Sequence, residues 1–161
     1  MLGLVAVAVV GADVLTKHLV VARLADHAPV RLLGGAVYLV LTRNGGAAFS
    51  LGTHLTFVFP LVTVAVVGWI GWMASRLRSV PWAVCLGLVL GGALGNLVDR
   101  ILRAPGFMVG HVIDFISLGS DNGHPWPIFN LADSALCIGA ALAVLLELTG
   151  HRRDGAPRVR S

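Results

Sequence analysis

Residues 128–150 read IFNLADSALCIGAALAVLLELTG. From Ser134 onward the stretch is apolar and reads as a membrane helix. Yet Asp133 stands at its mouth, three residues after Asn130. Ionisable groups at membrane depth are expensive, so this carboxylate needs a physical reason. Local reasons exist. Asn130 is a good N-cap, and the helix dipole stabilises a negative charge in the first turn. Neither accounts for a second carboxylate, Asp114, 19 residues upstream between the apolar neighbours of HVIDFISL.

The rest of the chain supports a membrane setting. Its 161 residues are 57% hydrophobic and only 12% charged, about half the charged share of an ordinary soluble domain. The formal charge of +4 does not point to nucleic acid, because the basic residues form no stripe with interleaved aromatics. Cys85 and Cys137 each fall inside an apolar run without metal-ligand or disulfide spacing, and read as small buried apolar residues. The first apolar run has no basic residue before it and no small-residue cleavage site, so it reads as a retained span.

Four spans are expected, at about 1–21, 55–74, 81–101 and 130–149, in one membrane domain over 1–150. A basic tail, 151–161, is expected to be cytoplasmic and disordered. The turn SRLRSVP and the tail carry six arginines against Glu147 and Asp154, whereas the other side balances six cations with six aspartates. Trp69, Trp72 and Trp82 cluster near the same turn, as an interfacial belt would. Both termini are therefore expected in the cytoplasm, with the two long connections facing outward. Each of those connections holds a β-rich run, AVYLVLT before an Asn-Gly turn and GHVIDFISLG, and the two could pair as a small outer sheet. The fold class is thus an all-α membrane protein with a small outward-facing β-cradle.

The polar residues near the spans recur in short motifs. Asp13 and Lys17 are spaced i,i+4 in the favourable ion-pair order. Asn44 precedes Gly45 and Gly46, which permit close backbone approach. GGALGNLVDR ends the third span with Asn96 and Arg100 on one helical face and Asp99 able to join them. Gly91, Gly92 and Gly95 before them suit close helix packing in lipid. Two carboxylates drawn together cannot both ionise at leisure, so one holds a proton while the other stays a base, as in aspartic peptidases. The same pair also suits a proton relay in a small transporter, or a non-catalytic membrane scaffold.

Taken in order around four spans, DVLTK, TRNGGAAFS, GGALGNLVDR, HVIDFI and FNLADSA resemble the bacterial lipoprotein signal peptidases, the signal peptidase II family, over roughly residues 10–148. The resemblance implies an intramembrane aspartic endopeptidase of the bacterial plasma membrane. It implies cleavage of diacylglyceryl-modified prolipoproteins just before the lipidated cysteine, near the outer face. It places the catalytic pair on Asp114 and Asp133, and substrate-binding or dyad-supporting roles on Asp13, Lys17, Asn44, Gly46, Asn96, Arg100 and Asn130. It implies no metal and no cofactor, a monomer surrounded by membrane lipid, inhibition by cyclic peptides of the globomycin type, and a short surface helix beside the cradle. One departure is visible: the family usually has Thr where Gly45 stands.

Overall fold

The computed structural model describes residues 1–46 and 58–155, the side chain of Phe59 excepted. Four helices carry the chain: α1 (Leu2–Leu24), α2 (Val58–Ala74), α3 (Val80–Leu102) and α4 (Leu131–Leu148). Three of them, α1, α3 and α4, are long and apolar enough to cross a membrane. At 23 residues, α1 and α3 extend about 35 Å, more than the hydrocarbon core. The described part of α2 has 17 residues, and the expected start of that span at 55–57 lies outside the described residues. So do Ala47–Ser50 of the second motif and residues 156–161 of the tail.

α3 is the central helix. Half of its apolar window is buried, against 22% for α1 and α4. Its glycines explain how the neighbours come so close. A Cβ on Gly91 would stand 2.6 Å from Val9 Cβ of α1, and one on Gly92 would overlap the Ala132 carbonyl oxygen of α4. Small residues at these positions let helix backbones touch where lipid offers no hydrophobic drive for association. At one end of the bundle Ile70, Trp82, Cys85, Leu86 and Leu146 form an apolar cluster. At the other, Val20 and Leu24 of α1 pack under Ile113 and Phe115 of the sheet. Cys137 departs from expectation: it lies on an outward face of α4 and is exposed, whereas Cys85 is buried as expected.

The sheet has three antiparallel strands in the order β1 (Val30–Leu32), β2 (Val37–Asn44) and β3 (Val112–Leu118). The pairing of β2 with β3 follows the expectation, while β1 is an addition. It is joined to β2 by a single 3-10 turn, Leu33–Gly35, that runs through positive φ at all three residues. That turn is the only helical element outside α1–α4 among the described residues, so a longer surface helix is not found there.

Two details of the sheet position the site. The register slips between Leu39↔Ile116 and Thr42↔Asp114, so β2 carries one extra residue there. Side chains alternate along a strand, so without this bulge Asn44 would point away from Asp114. With it, Asn44 and Asp114 share a face. Second, Phe129 bridges to Ile116: Phe115 and Ile116 N–H donate to the Phe129 carbonyl at 3.0 and 2.8 Å, and Phe129 N–H donates back to Ile116 O at 3.0 Å. The residue after Phe129 is Asn130, so this bridge delivers the start of α4 beside Asp114.

Candidate active site

Asn130 begins the construction. Its backbone is extended (φ −130°, ψ −177°), and its side-chain oxygen accepts from Asp133 N–H at 2.9 Å. Asp133 Oδ2 in turn accepts from Asn130 N–H at 3.2 Å, closing a reciprocal capping box. The cap reading of the sequence is thus correct, and the same asparagine does more. Its amide nitrogen, Nδ2, donates to Asp114 Oδ1 at 2.6 Å and to Asn96 Oδ1 at 3.2 Å. Asn130 is fully buried and stands between the two carboxylates.

Two further amides complete the pair. Asn96 Nδ2 donates to Asp133 Oδ1 at 2.8 Å, and Asn44 Nδ2 donates to Asp114 Oδ2 at 2.9 Å. Amide orientation matters here, because a flipped amide would present an oxygen to a carboxylate. Each is set by a donor that cannot be reversed. Asn130 Oδ1 faces Asp133 N–H, Asn44 Oδ1 accepts from Gly46 N–H at 3.1 Å, and Asn96 Oδ1 accepts from Lys17 Nζ at 3.0 Å. All four oxygens of Asp114 and Asp133 therefore receive one N–H each.

Lys17 carries the network to α1 and α3. Fully buried, it pairs with Asp13 at 2.7 Å and with Asp99 at 2.8 Å. Asp13 also accepts from Ala132 N–H at 2.9 Å, one residue before Asp133. Asp99 accepts from Ile113 N–H at 3.2 Å, one residue before Asp114, and its other oxygen binds Arg103. Each carboxylate of the pair thus has its preceding peptide N–H held by a buried aspartate.

The expected sites converge, with one correction. Asn96, Asp99 and Arg100 do not bond one another directly at the end of α3; Lys17 joins Asn96 to Asp99, and Arg100 stands apart. Asn96 turns to the dyad and Asp99 to Lys17, Arg103 and the β3 backbone. Arg100 instead donates to three carbonyls, Gly110 at 2.9 Å and Asn44 and Gly46 at 3.2 Å each. It clamps the loop that presents Asn44. Gly46 contributes its backbone to this clamp and to the Asn44 turn. At Gly45, an added Cβ would stand 3.0 Å from His111 Nε2, so a larger side chain would press on that ring. Sequence reasoning gave Asp99 no place of its own. Its signal was the Asp99–Arg103 i,i+4 spacing, besides its place among apolar residues.

The electrostatics separate the two carboxyls. Asp114 is 3% exposed, whereas Asp133 is only partly buried. Burial pushes the Asp114 carboxyl up to about 6. That value is a balance in which burial is the largest cause: the Asp133 charge also raises it, and the Asn44 and Asn130 hydrogen bonds and Lys17 lower it. The charge count agrees. Asp13, Asp99, Asp114 and Asp133 outnumber the nearby cations Lys17, Arg100 and Arg103 by one, which favours a proton on one of the four carboxyls.

Residues 5–149 match the family model described as signal peptidase (SPase) II. The chain is 51% identical over 155 residues to the lipoprotein signal peptidase of Rhodococcus jostii (strain RHA1), covering 96% of this chain and 76% of that one. It is 47% identical over 154 residues to the lipoprotein signal peptidase of Mycobacterium avium (strain 104), covering 96% and 82%. Among solved structures, one described as a bacterial membrane enzyme at 2.3 Å superposes with a TM-score of 0.77 at 28% identity, over 98% of this chain and 93% of that chain. A second, at 1.9 Å, gives 0.77 at 29% identity over 90% of each. The chain belongs to the signal peptidase II family.

Proposed function

We propose that this member of the signal peptidase II family removes signal peptides from prolipoproteins by aspartic chemistry, with Asp114 and Asp133 as the catalytic pair. The observation that carries the assignment is the convergence of two carboxylates on either side of Asn130, in a network with one charge too many. Asp114, the more buried, holds the shared proton. Asp133, the more open, is the base.

In the proposed reaction a water lies between the two carboxyls. Asp133 takes one of its protons as the oxygen attacks the scissile carbonyl. Asp114 gives its proton to the carbonyl oxygen, so a neutral gem-diol forms. The C–N bond then breaks. Asp133 passes its proton to the leaving nitrogen, and a gem-diol hydroxyl returns a proton to Asp114. One water is consumed, and the pair ends as it began. Asn96, Asn44 and Asn130 hold the carboxyls in place throughout, so little reorganisation is left for the reaction itself.

The cut falls before a cysteine bearing a diacylglyceryl group, whose chains lie along the apolar helix faces among the membrane lipids. In this reading α2 is a fourth crossing, residues 1–150 form one membrane domain, and the protein acts as a monomer in the bacterial plasma membrane. The charge asymmetry of the connections supports cytoplasmic termini and a dyad near the outer face. Cyclic peptides of the globomycin type are expected to block the site. The test is cleavage of a diacylglyceryl-modified prolipoprotein by purified protein in detergent. Wild type should cut, and Asp114→Asn and Asp133→Asn should each lose at least about 10³-fold in rate. Normal cutting by either variant would remove that residue from the mechanism.

A further inference from the structure

The end of the bundle away from the dyad is also built from charged residues and aromatics, and peptide cleavage makes no use of it. Glu147 lies 14 residues beyond Asp133 on α4, about 20 Å along the helix. Here the C-terminal ends of α2 and α4 meet the N-terminal end of α3. The chain beyond α4 folds back onto it: Trp82 Nε1–H donates to His151 O at 2.7 Å, and Arg78 N–H donates to Arg153 O at 3.0 Å.

Two adjoining cavities open at this end. One, of about 410 Å³, is lined by Arg76, Arg152 and Arg153, by Gly150 and His151, and by the carboxylates Glu147 and Asp154. The second, of about 330 Å³, is lined by Trp69, Trp72, Met73 and Leu77, with Arg76 and Arg153 on its rim. The two arginines common to both are held by indole faces. Arg76 stacks over Trp72 at 4.9 Å and Arg153 over Trp82 at 4.5 Å. Stacking fixes a guanidinium plane while leaving its N–H edges free to donate. Arg153 spends one nitrogen on Glu147, and Arg152 pairs with Asp154. Among the described residues no carboxylate pairs with Arg76, although Trp72 beside it is 59% exposed.

We propose that these paired cavities bind one anionic phospholipid, its phosphate on Arg76 and Arg153 and an acyl chain along Trp69, Trp72 and Leu77. An apolar slot joined to a guanidinium pocket matches an amphiphile with a negatively charged head. The side chains of residues 156–161 include Arg158 and Arg160 and no carboxylate, so they carry the same sign of charge as the arginines proposed to bind the phosphate. Zwitterionic lipid adds a cationic group that the arginines repel. A phosphate at this interface gains roughly fivefold in affinity from each arginine it meets.

The test uses the full chain in detergent, titrated with phosphatidylglycerol or phosphatidylcholine and read by native mass spectrometry and thermal unfolding. A single phosphatidylglycerol adduct should form in preference to phosphatidylcholine. Arg76→Gln, which removes only a stacking contact, should cut that preference by about fivefold while cleavage continues. Equal binding of the two lipids, or an unchanged preference in Arg76→Gln, would overturn the site. The same thermal shift from inorganic phosphate alone would overturn the lipid assignment in favour of a simple anion pocket.

Discussion

Asn130 serves two structures at once, and substitution can separate them. As N-cap it satisfies Asp133 N–H; as a bridge it donates to Asp114 Oδ1 at 2.6 Å. Serine caps a helix about as well as asparagine, but its hydroxyl is one bond shorter and carries no amide to reach Asp114. Alanine does neither. Asn130→Ala should cost about 1 kcal/mol for the cap and about 1–3 kcal/mol for the buried acceptor left without its donor, roughly 2–4 kcal/mol together. Asn130→Ser should cost only the second part. The two variants should therefore differ in stability by about 1 kcal/mol and yet be equally slow, because both release Asp114 from its bridge.

A second readout makes the series sharper. The Asn130 bond lowers the Asp114 pKa, so its loss moves that pKa further up. The pH at which kcat/KM falls on the alkaline side should rise in both variants. The assays are unfolding in detergent by intrinsic fluorescence and cleavage of a lipidated prolipoprotein across pH. Asn130→Ser with the wild-type rate and the wild-type pH limb would refute the bridge and leave Asn130 as a cap alone.

Other perturbations test the remaining parts of the network. In wild type, kcat/KM should decline as pH rises through about 6, where Asp114 gives up its proton, and the limb in kcat should lie higher because bound substrate excludes water. A carboxyl raised from 3.8 to about 6 favours the folded state while protonated, so thermal stability should also fall between about pH 4 and pH 6 and then level; a flat stability curve there would contradict the burial of Asp114. Asp99→Asn removes a buried partner of Lys17 and should destabilise by roughly 3 kcal/mol, with slower cleavage even below its unfolding temperature because Ile113, next to Asp114, loses a charged acceptor. Gly92→Ala should cost about 1–3 kcal/mol and slow cleavage, since the new methyl meets Ala132 O and Leu136, whereas Gly71→Ala, with nothing within 4 Å, should be neutral in both assays.

The helices were legible because lipid demands long apolar runs, and the polar motifs stood out because lipid penalises them. Asp13–Lys17 and Asn130–Asp133 were equally readable, since helical spacing alone brings each pair together. What lay beyond the sequence was set by strand register and by backbone partners. Nothing in VYLVLTRN marks the extra residue that turns Asn44 towards Asp114. Nothing in Asp13 or Asp99 announces that their partners include Ala132 N–H and Ile113 N–H, 119 and 14 residues away. Cys137 was misread for a related reason: an apolar run tells that a helix meets lipid, but not which of its faces does.

Those hidden bonds explain why so small a bundle can hold so many buried charges. A lone aspartate pair would repel itself apart, and a lone lysine in the bundle would deprotonate. Here each charge is also a strut. Asp13 ties α1 to the start of α4, Asp99 ties α3 to β3, and Lys17 joins both to Asn96. Removing any one of them leaves an unmatched charge and also frees Asp114 or Asp133 to move. Stability and catalysis should therefore fall together at Asp13, Lys17 and Asp99, while at Asp114 and Asp133 an uncharged replacement should abolish cleavage with a much smaller loss of stability. A variant of Lys17 that unfolds no more easily than wild type would break this link, because it would show that the buried charges are not what holds the helices to the sheet.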